Sequence, residues 1–285
     1  LFEDKTRKKT IMHLNIREII KAKAPNKKVP SFIVNYLRKI AHEDELNRFF
    51  PTVADKKNVE FIEGSLKYLR ITATIEGKEN LPKDGKCYIF ASNHPLGGLD
   101  GLILGMLIGK EYNGKVKYVV NDLLMNLTPL SEMFIPVNKV GAQGKNNVEL
   151  MNQLYESDNQ IITFPAGACS RKVNGVITDL EWKKNFIAKA IAHQRDVVPI
   201  FFEGRNSNFF YNLSRIRKSL GIKLNIEMLY LVDEMYKQCG KHLKARIGKL
   251  IPWQTFDKTK SQAEWAEWVK KGAYSLEIKQ KKQHT

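Results

Sequence analysis

His94 and Asp100 lie six positions apart in the stretch Ala91-Ser92-Asn93-His94-Pro95-Leu96-Gly97-Gly98-Leu99-Asp100-Gly101. An imidazole takes and returns a proton near neutral pH. A carboxylate beside it fixes the tautomer and stabilises the imidazolium that forms. Such a pair is a general base without a protein nucleophile, so the attacking group would be a hydroxyl of the substrate. The same residue types also suit a turn followed by a helix cap, and the stretch alone leaves both readings open.

The flanking sequence says how the pair would be held. Lys86–Ser92 (KCYIFAS) is a compact buried strand, which places Asn93 and His94 at its C-terminal end, where open α/β sheets bind ligands. Pro95 and Gly97-Gly98 suit a tight turn, and Asp100 falls in the first turn of a helix over Leu99–Glu111, where the helix dipole favours a carboxylate. Further strands are expected at Leu69–Ile75, Val116–Val120, Met133–Val137, Gln160–Phe164 and Val197–Phe202, with helices near Val148–Ser157 and Trp182–His193. Strands alternating with helices predict an α/β sheet covered on both faces.

Helices are expected before and after this region. Asn15-Ile16-Arg17-Glu18 has capping-box spacing; Pro30-Ser31 opens an amphipathic helix to Ile40; a third covers Asp44–Phe50. Ser261-Gln262-Ala263-Glu264 is a second capping box, opening a helix with Trp265 and Trp268 before a lysine-rich tail. With Trp253 these tryptophans suit either an interfacial belt on a membrane or packing on the main domain. The organisation expected is an N-terminal helical segment (1–64), an α/β catalytic domain (65–252) and a C-terminal helix with basic tail (253–285).

The chain of 285 residues is 43% hydrophobic and 27% charged, which excludes wholesale disorder. Its formal net charge of +17 points to an anionic partner: a membrane surface, an acidic carrier, or nucleic acid. Nucleic acid finds no zinc-finger, helix-turn-helix or aromatic RNA-binding signature to support it. Three cysteines without a CxxC, and histidines at 42, 193 and 242 without ligand spacing, predict no metal and fit a reducing cytoplasm. Residues 1–10 lack the apolar region of a signal peptide, and the apolar run Gly101–Gly109 is far shorter than the about 20 residues of a spanning helix. The expected location is therefore cytoplasmic, peripheral on the inner face of the cell membrane. Gly-Ala-Cys169-Ser170 is not the Gly-x-Ser-x-Gly elbow of a hydrolase.

Three later blocks follow the His–Asp stretch in order: Met133-Phe134-Ile135-Pro136-Val137-Asn138-Lys139, then Thr163-Phe164-Pro165-Ala166-Gly167 with Ser170-Arg171, then Val197-Val198-Pro199-Ile200. Together they resemble the glycerolipid acyltransferases of the 1-acyl-glycerol-3-phosphate acyltransferase type, whose first block is Asn-His-(four residues)-Asp. The tract Arg246–Pro252 also sits where that family carries an Arg-Ile-Gly…Pro segment. The resemblance spans roughly residues 70–252 and implies a mixed α/β sheet flanked by helices. It further implies a fatty acyl group passing from an acyl thioester to the hydroxyl of a lyso-lipid. His94 and Asp100 would be catalytic, with Asn93, Gly97, Gly98, Lys139, Gly167 and Arg171 on the substrate. No bound cofactor is implied; acyl carrier protein or coenzyme A carries the co-substrate. The partners implied are an anionic membrane surface, a lyso-lipid acceptor and acyl carrier protein, not nucleic acid.

The departures bear on the acceptor. The His–Asp gap holds five residues rather than four, which Gly97-Gly98 can absorb. The usual glutamate of the third block is Ala166, Arg171 lies two positions late, and Lys139 replaces arginine. The subgroups described as hemolysins, and the O-acyltransferases of ornithine or glycine lipids, look similar around His-Pro-x-Gly-Gly. A carboxylate-bearing lyso-lipid therefore stands beside a phosphate-bearing one. A nucleic-acid binding protein and a non-catalytic membrane-surface protein, hemolysin-like, are the remaining alternatives.

Overall fold

The computed structural model describes residues 12–23, 25–26, 28–120, 127–136, 144–221 and 226–277. Four helices come first: α1 (Ile16–Lys23), α2 (Ser31–Ile40), α3 (Glu43–Phe49) and α4 (Asn58–Tyr68). Next come β1 (Thr72–Glu76), β2 (Ile89–Ser92), α5 (Leu99–Glu111), β3 (Val116–Val120), β4 (Phe134–Pro136), α6 (Gly144–Glu156) and β5 (Gln160–Thr163). The remainder is β6 (Arg171–Val173), β7 (Val176–Thr178), α7 (Asn185–Ala192), β8 (Val197–Phe202), α8 (Asn208–Ser219), α9 (Leu231–Tyr236), β9 (His242–Ile247) and α10 (Gln262–Ser275).

Seven strands form one sheet in the order β1-β9-β8-β2-β5-β3-β4, and β6 and β7 make a separate hairpin. The strands from β8 to β4 run parallel, while β9 is antiparallel to β8 and carries β1 with it. This is the expected mixed sheet, with helices on both faces. β2 and β8 are buried at every position, as apolar strands covered on both sides must be. One core joins α4 and α5 to the sheet; the other joins α6, α7 and α10 to its opposite face.

Several expectations are revised. The apolar run taken as a strand from Leu69 begins as the end of α4, because Phe61, Ile62, Ser65 and Leu66 repeat at helical spacing and bury one face. Arg70 then turns the chain at φ +52°, and pairing starts at Thr72. Of the two readings for the tryptophans, packing on the main domain holds for Trp265, buried against Phe256 and Val269, while Trp268 stays exposed. No described helix is long and apolar enough to cross a membrane.

The placement of α5 decides where Asp100 goes. Gly105 lets the Tyr118 hydroxyl come so near that an added Cβ would lie 1.6 Å from it. From there the hydroxyl donates to the Gly101 carbonyl at 2.7 Å, pinning the first turn of α5 to β3. Ile103, Leu104 and Ile108, none with any exposed surface, hold the rest, each contributing about 1.5–3 kcal/mol by burial.

Candidate active site

β2 is the middle of the site. β5 and β8 flank it in parallel, so the first, third and fourth sequence blocks end at the same C-terminal edge. Asn93 ties the first to the fourth: its Nδ2 donates to the Phe202 carbonyl at 2.9 Å and its Oδ1 accepts from the Phe202 N–H at 2.6 Å. Both ends of this buried amide are committed to the backbone, which sets the direction in which the chain delivers His94.

His94 and Asp100 do meet. His94 Nδ1 lies 3.1 Å from Asp100 Oδ2, and since a carboxylate only accepts, Nδ1 carries the proton. The same Oδ2 accepts from the Leu96 N–H at 3.0 Å, and Oδ1 accepts from the Gly101 N–H at 2.9 Å. These three donors offset the several kcal/mol that a fully buried carboxylate costs. The five-residue gap closes because Gly97 adopts φ +83°, where an added Cβ would press within 2.6 Å of Cys169 Sγ and 2.8 Å of Leu231. Gly98 has open space around it and N-caps α5 without a side-chain bond.

The imidazole keeps 15% of its surface exposed, and its Nε2 makes no hydrogen bond among the described residues. Phe164, just past β5, stacks on the ring at 4.1 Å and fixes its plane. Burial drives the His94 pKa down. The charge and hydrogen bond of Asp100, helped by Asp179 and opposed by Arg171, outweigh that, and the net pKa lies above the ordinary histidine value. The result is an imidazole with one edge anchored and the basic edge turned to solvent.

Asp179 lies beneath it and carried no signal in the sequence, since no motif surrounds Thr178-Asp179-Leu180. Its carboxylate accepts from the His94 N–H at 3.2 Å, from Ser170 Oγ at 2.5 Å and from Trp182 Nε1 at 2.9 Å, while Ser170 N–H donates to the His94 carbonyl at 2.8 Å. Tyr274 and Lys270 of α10 bond the Asp179 backbone, so the C-terminal helix buttresses the histidine. Burial pushes the Asp179 pKa up even against these donors.

The third block turns its groups inward. Arg171 is buried; Nη1 donates to the Cys169 carbonyl at 2.8 Å, Nη2 to Glu227 at 3.1 Å, and its plane lies over the Phe210 ring. Arg217 shares the same carboxylate, Nε to Glu227 Oε2 at 2.8 Å. Gly167 takes φ +64°, its N–H donates to the Phe164 carbonyl at 2.9 Å, and the Lys183 ammonium hangs over it. Ala166 packs in the apolar cluster of Trp182 and Phe186, where a glutamate carboxylate would be desolvated. Lys139 lies outside the described residues. In the loop after β8, Glu203 pairs with Arg246, Gly204 rests on Leu96, and Ser207 caps α8.

No side chain beside His94 is an activated nucleophile among the described residues. Burial pushes the Cys169 thiol up to about 12, and Ser170 gives its proton to a carboxylate rather than to an imidazole. The arrangement has the chemistry to remove a proton from a hydroxyl and return it to a leaving group.

The chain belongs to the acyltransferase family, whose model matches residues 18–281, and it is an acyltransferase. Its relatives include a lyso-glycine lipid O-acyltransferase of Bacteroides thetaiotaomicron, 53% identical over 92% of this chain and 97% of that protein. A lyso-glycine lipid O-acyltransferase of Phocaeicola vulgatus is also 53% identical, over 94% of this chain and 96% of its own. The crystal structure of the 1-acyl-sn-glycerophosphate acyltransferase of Thermotoga maritima aligns at a TM-score of 0.48 and 16% identity, covering 91% of this chain and 88% of that one. The non-catalytic alternatives are not favoured by this membership.

Proposed function

We propose that this protein transfers a fatty acyl group from an acyl thioester to the hydroxyl of a lyso-lipid at a membrane surface, and that the acceptor is a lyso-glycine lipid. The observation that carries the chemistry is His94, with Nδ1 anchored by Asp100 and Nε2 unpartnered among the described residues at the C-terminal edge of the sheet. The glycine-lipid acceptor is supported by the names of two relatives at 53% identity that this chain covers almost end to end. Glycine itself has no hydroxyl. An O-acylation of its lyso-lipid must therefore form the ester on a hydroxyl of the chain already attached.

In this mechanism His94 Nε2 takes the acceptor's hydroxyl proton as the oxygen attacks the thioester carbonyl carbon. Asp100 balances the imidazolium. The N–H groups of Gly97 and Gly98, which bond to none of the described residues, are the donors proposed for the oxyanion. Collapse of the tetrahedral intermediate breaks the C–S bond, and the thiolate of acyl carrier protein or coenzyme A takes the proton back from His94. Asn93 and Arg171 act from behind, one fixing the exit of β2 and the other holding the 164–171 loop on Glu227; Lys139 is the cation proposed for the anionic head group. The net charge of +17 supports an anionic surface as the place of work.

The test is a transfer assay with purified protein, labelled acyl-carrier protein or acyl-coenzyme A, and lyso-glycine lipid beside lysophosphatidate. Transfer to the glycine lipid, lost in His94→Ala, is expected. Preference for lysophosphatidate would overturn the acceptor, and undiminished transfer by the variant would overturn the mechanism.

A further inference from the structure

Exposed apolar side chains concentrate on one side of this molecule. On α2, Phe32 is 73% exposed and Tyr36, one turn on, shares its face. On α8 and its C-cap, Phe209, Ile216 and Leu220 recur at seven and four residues and make one outward stripe, Leu220 at 68% exposed. The 3₁₀ turn Ile226–Tyr230 bridges the two helices and adds Leu229. Continuity across the bridge is direct: the Tyr36 and Tyr230 hydroxyls are 2.6 Å apart, and the Tyr230 ring meets Phe209 at 5.0 Å.

This side adjoins the reacting edge. β8 ends and β9 begins at the edge where β2 delivers His94, so α8 leaves from that edge and α9 returns to it. Leu231, next after the turn, presses on Gly97 of the catalytic loop. The charges there have one sign. Neither α2 nor α8 contains an acidic residue, and α8 exposes Arg215 and Lys218 beside its apolar stripe. The carboxylates of the bridge are matched already: Glu227 by Arg171 and Arg217, Asp233 by His42 and Lys237, Glu234 by Lys237 and Ser207. Exposed apolar groups beside cations that pair with no carboxylate among the described residues fit a bilayer carrying anionic head groups.

We infer that α2, the 226–230 turn and α8 form the face that seats on an anionic lipid bilayer, holding the His94 edge at the interface. The inference rests on the lyso-lipid reading and adds where the protein meets the lipid. The tryptophans of α10 are not part of it, since Trp265 is buried on another side.

The experiment is partitioning of the full chain onto phosphatidylglycerol/phosphatidylcholine vesicles without substrates. Phe209→Ser/Ile216→Ser/Leu220→Ser should weaken partitioning on the order of 1,000-fold, since one well-inserted apolar side chain is worth about tenfold. Arg215→Glu/Lys218→Glu, which leaves the apolar stripe intact, should lower binding to anionic vesicles and leave binding to pure phosphatidylcholine unchanged. Trp268→Ser, exposed on α10, is the control expected to change nothing. Transfer to a short-chain, water-soluble acceptor should persist in all three. Partitioning within about threefold of the parent for both face variants, or an equal loss with Trp268→Ser, overturns the inference. So does a parent dimer that the apolar variant dissociates while vesicle binding survives, because the occupant would then be a second copy. If the parent acylates no acceptor at all, the reaction reading fails while the vesicle result still decides the face.

Discussion

Replacing Asp100 by asparagine keeps the shape of a carboxylate, removes its charge and adds an N–H. In the structure Oδ2 receives the Nδ1 proton of His94 at 3.1 Å and Oδ1 receives the Gly101 N–H at 2.9 Å. The asparagine oxygen can keep only one of the two backbone donors, Gly101 N–H on the Oδ1 side or Leu96 N–H on the Oδ2 side, and where it keeps Gly101 its NH₂ turns toward His94 Nδ1. That nitrogen must then accept, so the proton moves to Nε2 and the basic edge facing the acceptor is lost. The charge balance goes too. Two unit charges about 4 Å apart at an effective dielectric near 20 interact by roughly 4 kcal/mol, and each 1.36 kcal/mol is tenfold in rate. The expected fall in kcat is thus about 10³-fold, with KM changed by less than a few-fold.

The pH profile carries a sign of its own. His94 must be neutral to act, so its raised pKa places the acidic limb of kcat/KM above the ordinary histidine value. Removing the charge that raises it should slide that limb to lower pH in Asp100→Asn. The assay is the acyl transfer already described, measured across pH with thermal melts as a check on folding. A loss under tenfold with an unmoved acidic limb would refute the dyad.

Asp179→Asn keeps the size of a buried group that holds His94 by its backbone; kcat should fall about tenfold, the worth of one such hydrogen bond, with a smaller downward shift of the acidic limb and KM steady. Gly97→Ala must take φ +83° and push aside Cys169 and Leu231; a stability loss of roughly 1–3 kcal/mol is expected in denaturant melts, with activity falling alongside. Glu227→Gln leaves two buried guanidinium groups facing each other and should cost about 3–5 kcal/mol, read as a lowered Tm. Burial pushes the Glu227 pKa up, but its bonds to the backbone and both arginines win and hold it below 4.5. Its contribution to stability is therefore present above that value and lost as pH falls through the depressed one, so the glutamine variant should show a shallower acid transition.

Local regularities carried much of the fold. β8, β3 and α5 fall where apolar runs and helical spacing put them, because each buries a face defined by its own residues. β9 and the β6–β7 hairpin escaped that reading. Leu243, Ala245 and Ile247 alternate with Lys244 and Arg246 as a strand's residues do, but Arg246 is buried there, which Glu76 and Glu203 on neighbouring elements make tolerable and no local pattern announces. The tryptophans of α10 likewise allowed two readings until Phe256 and α7 supplied the surface that covers Trp265.

The site divides along the same line. His94 and Asp100 were legible because one turn joins them, so their spacing and the glycines between them nearly determine that they meet. Asp179 and Glu227 come from 85 and 56 residues beyond their partners His94 and Arg171, and no local pattern announces them. Short-range chemistry is written in the chain because few dihedrals separate its atoms. What orients the histidine, and what draws Arg171 inward, depends on strands and helices that meet only when the sheet closes, and only the tertiary structure decided it.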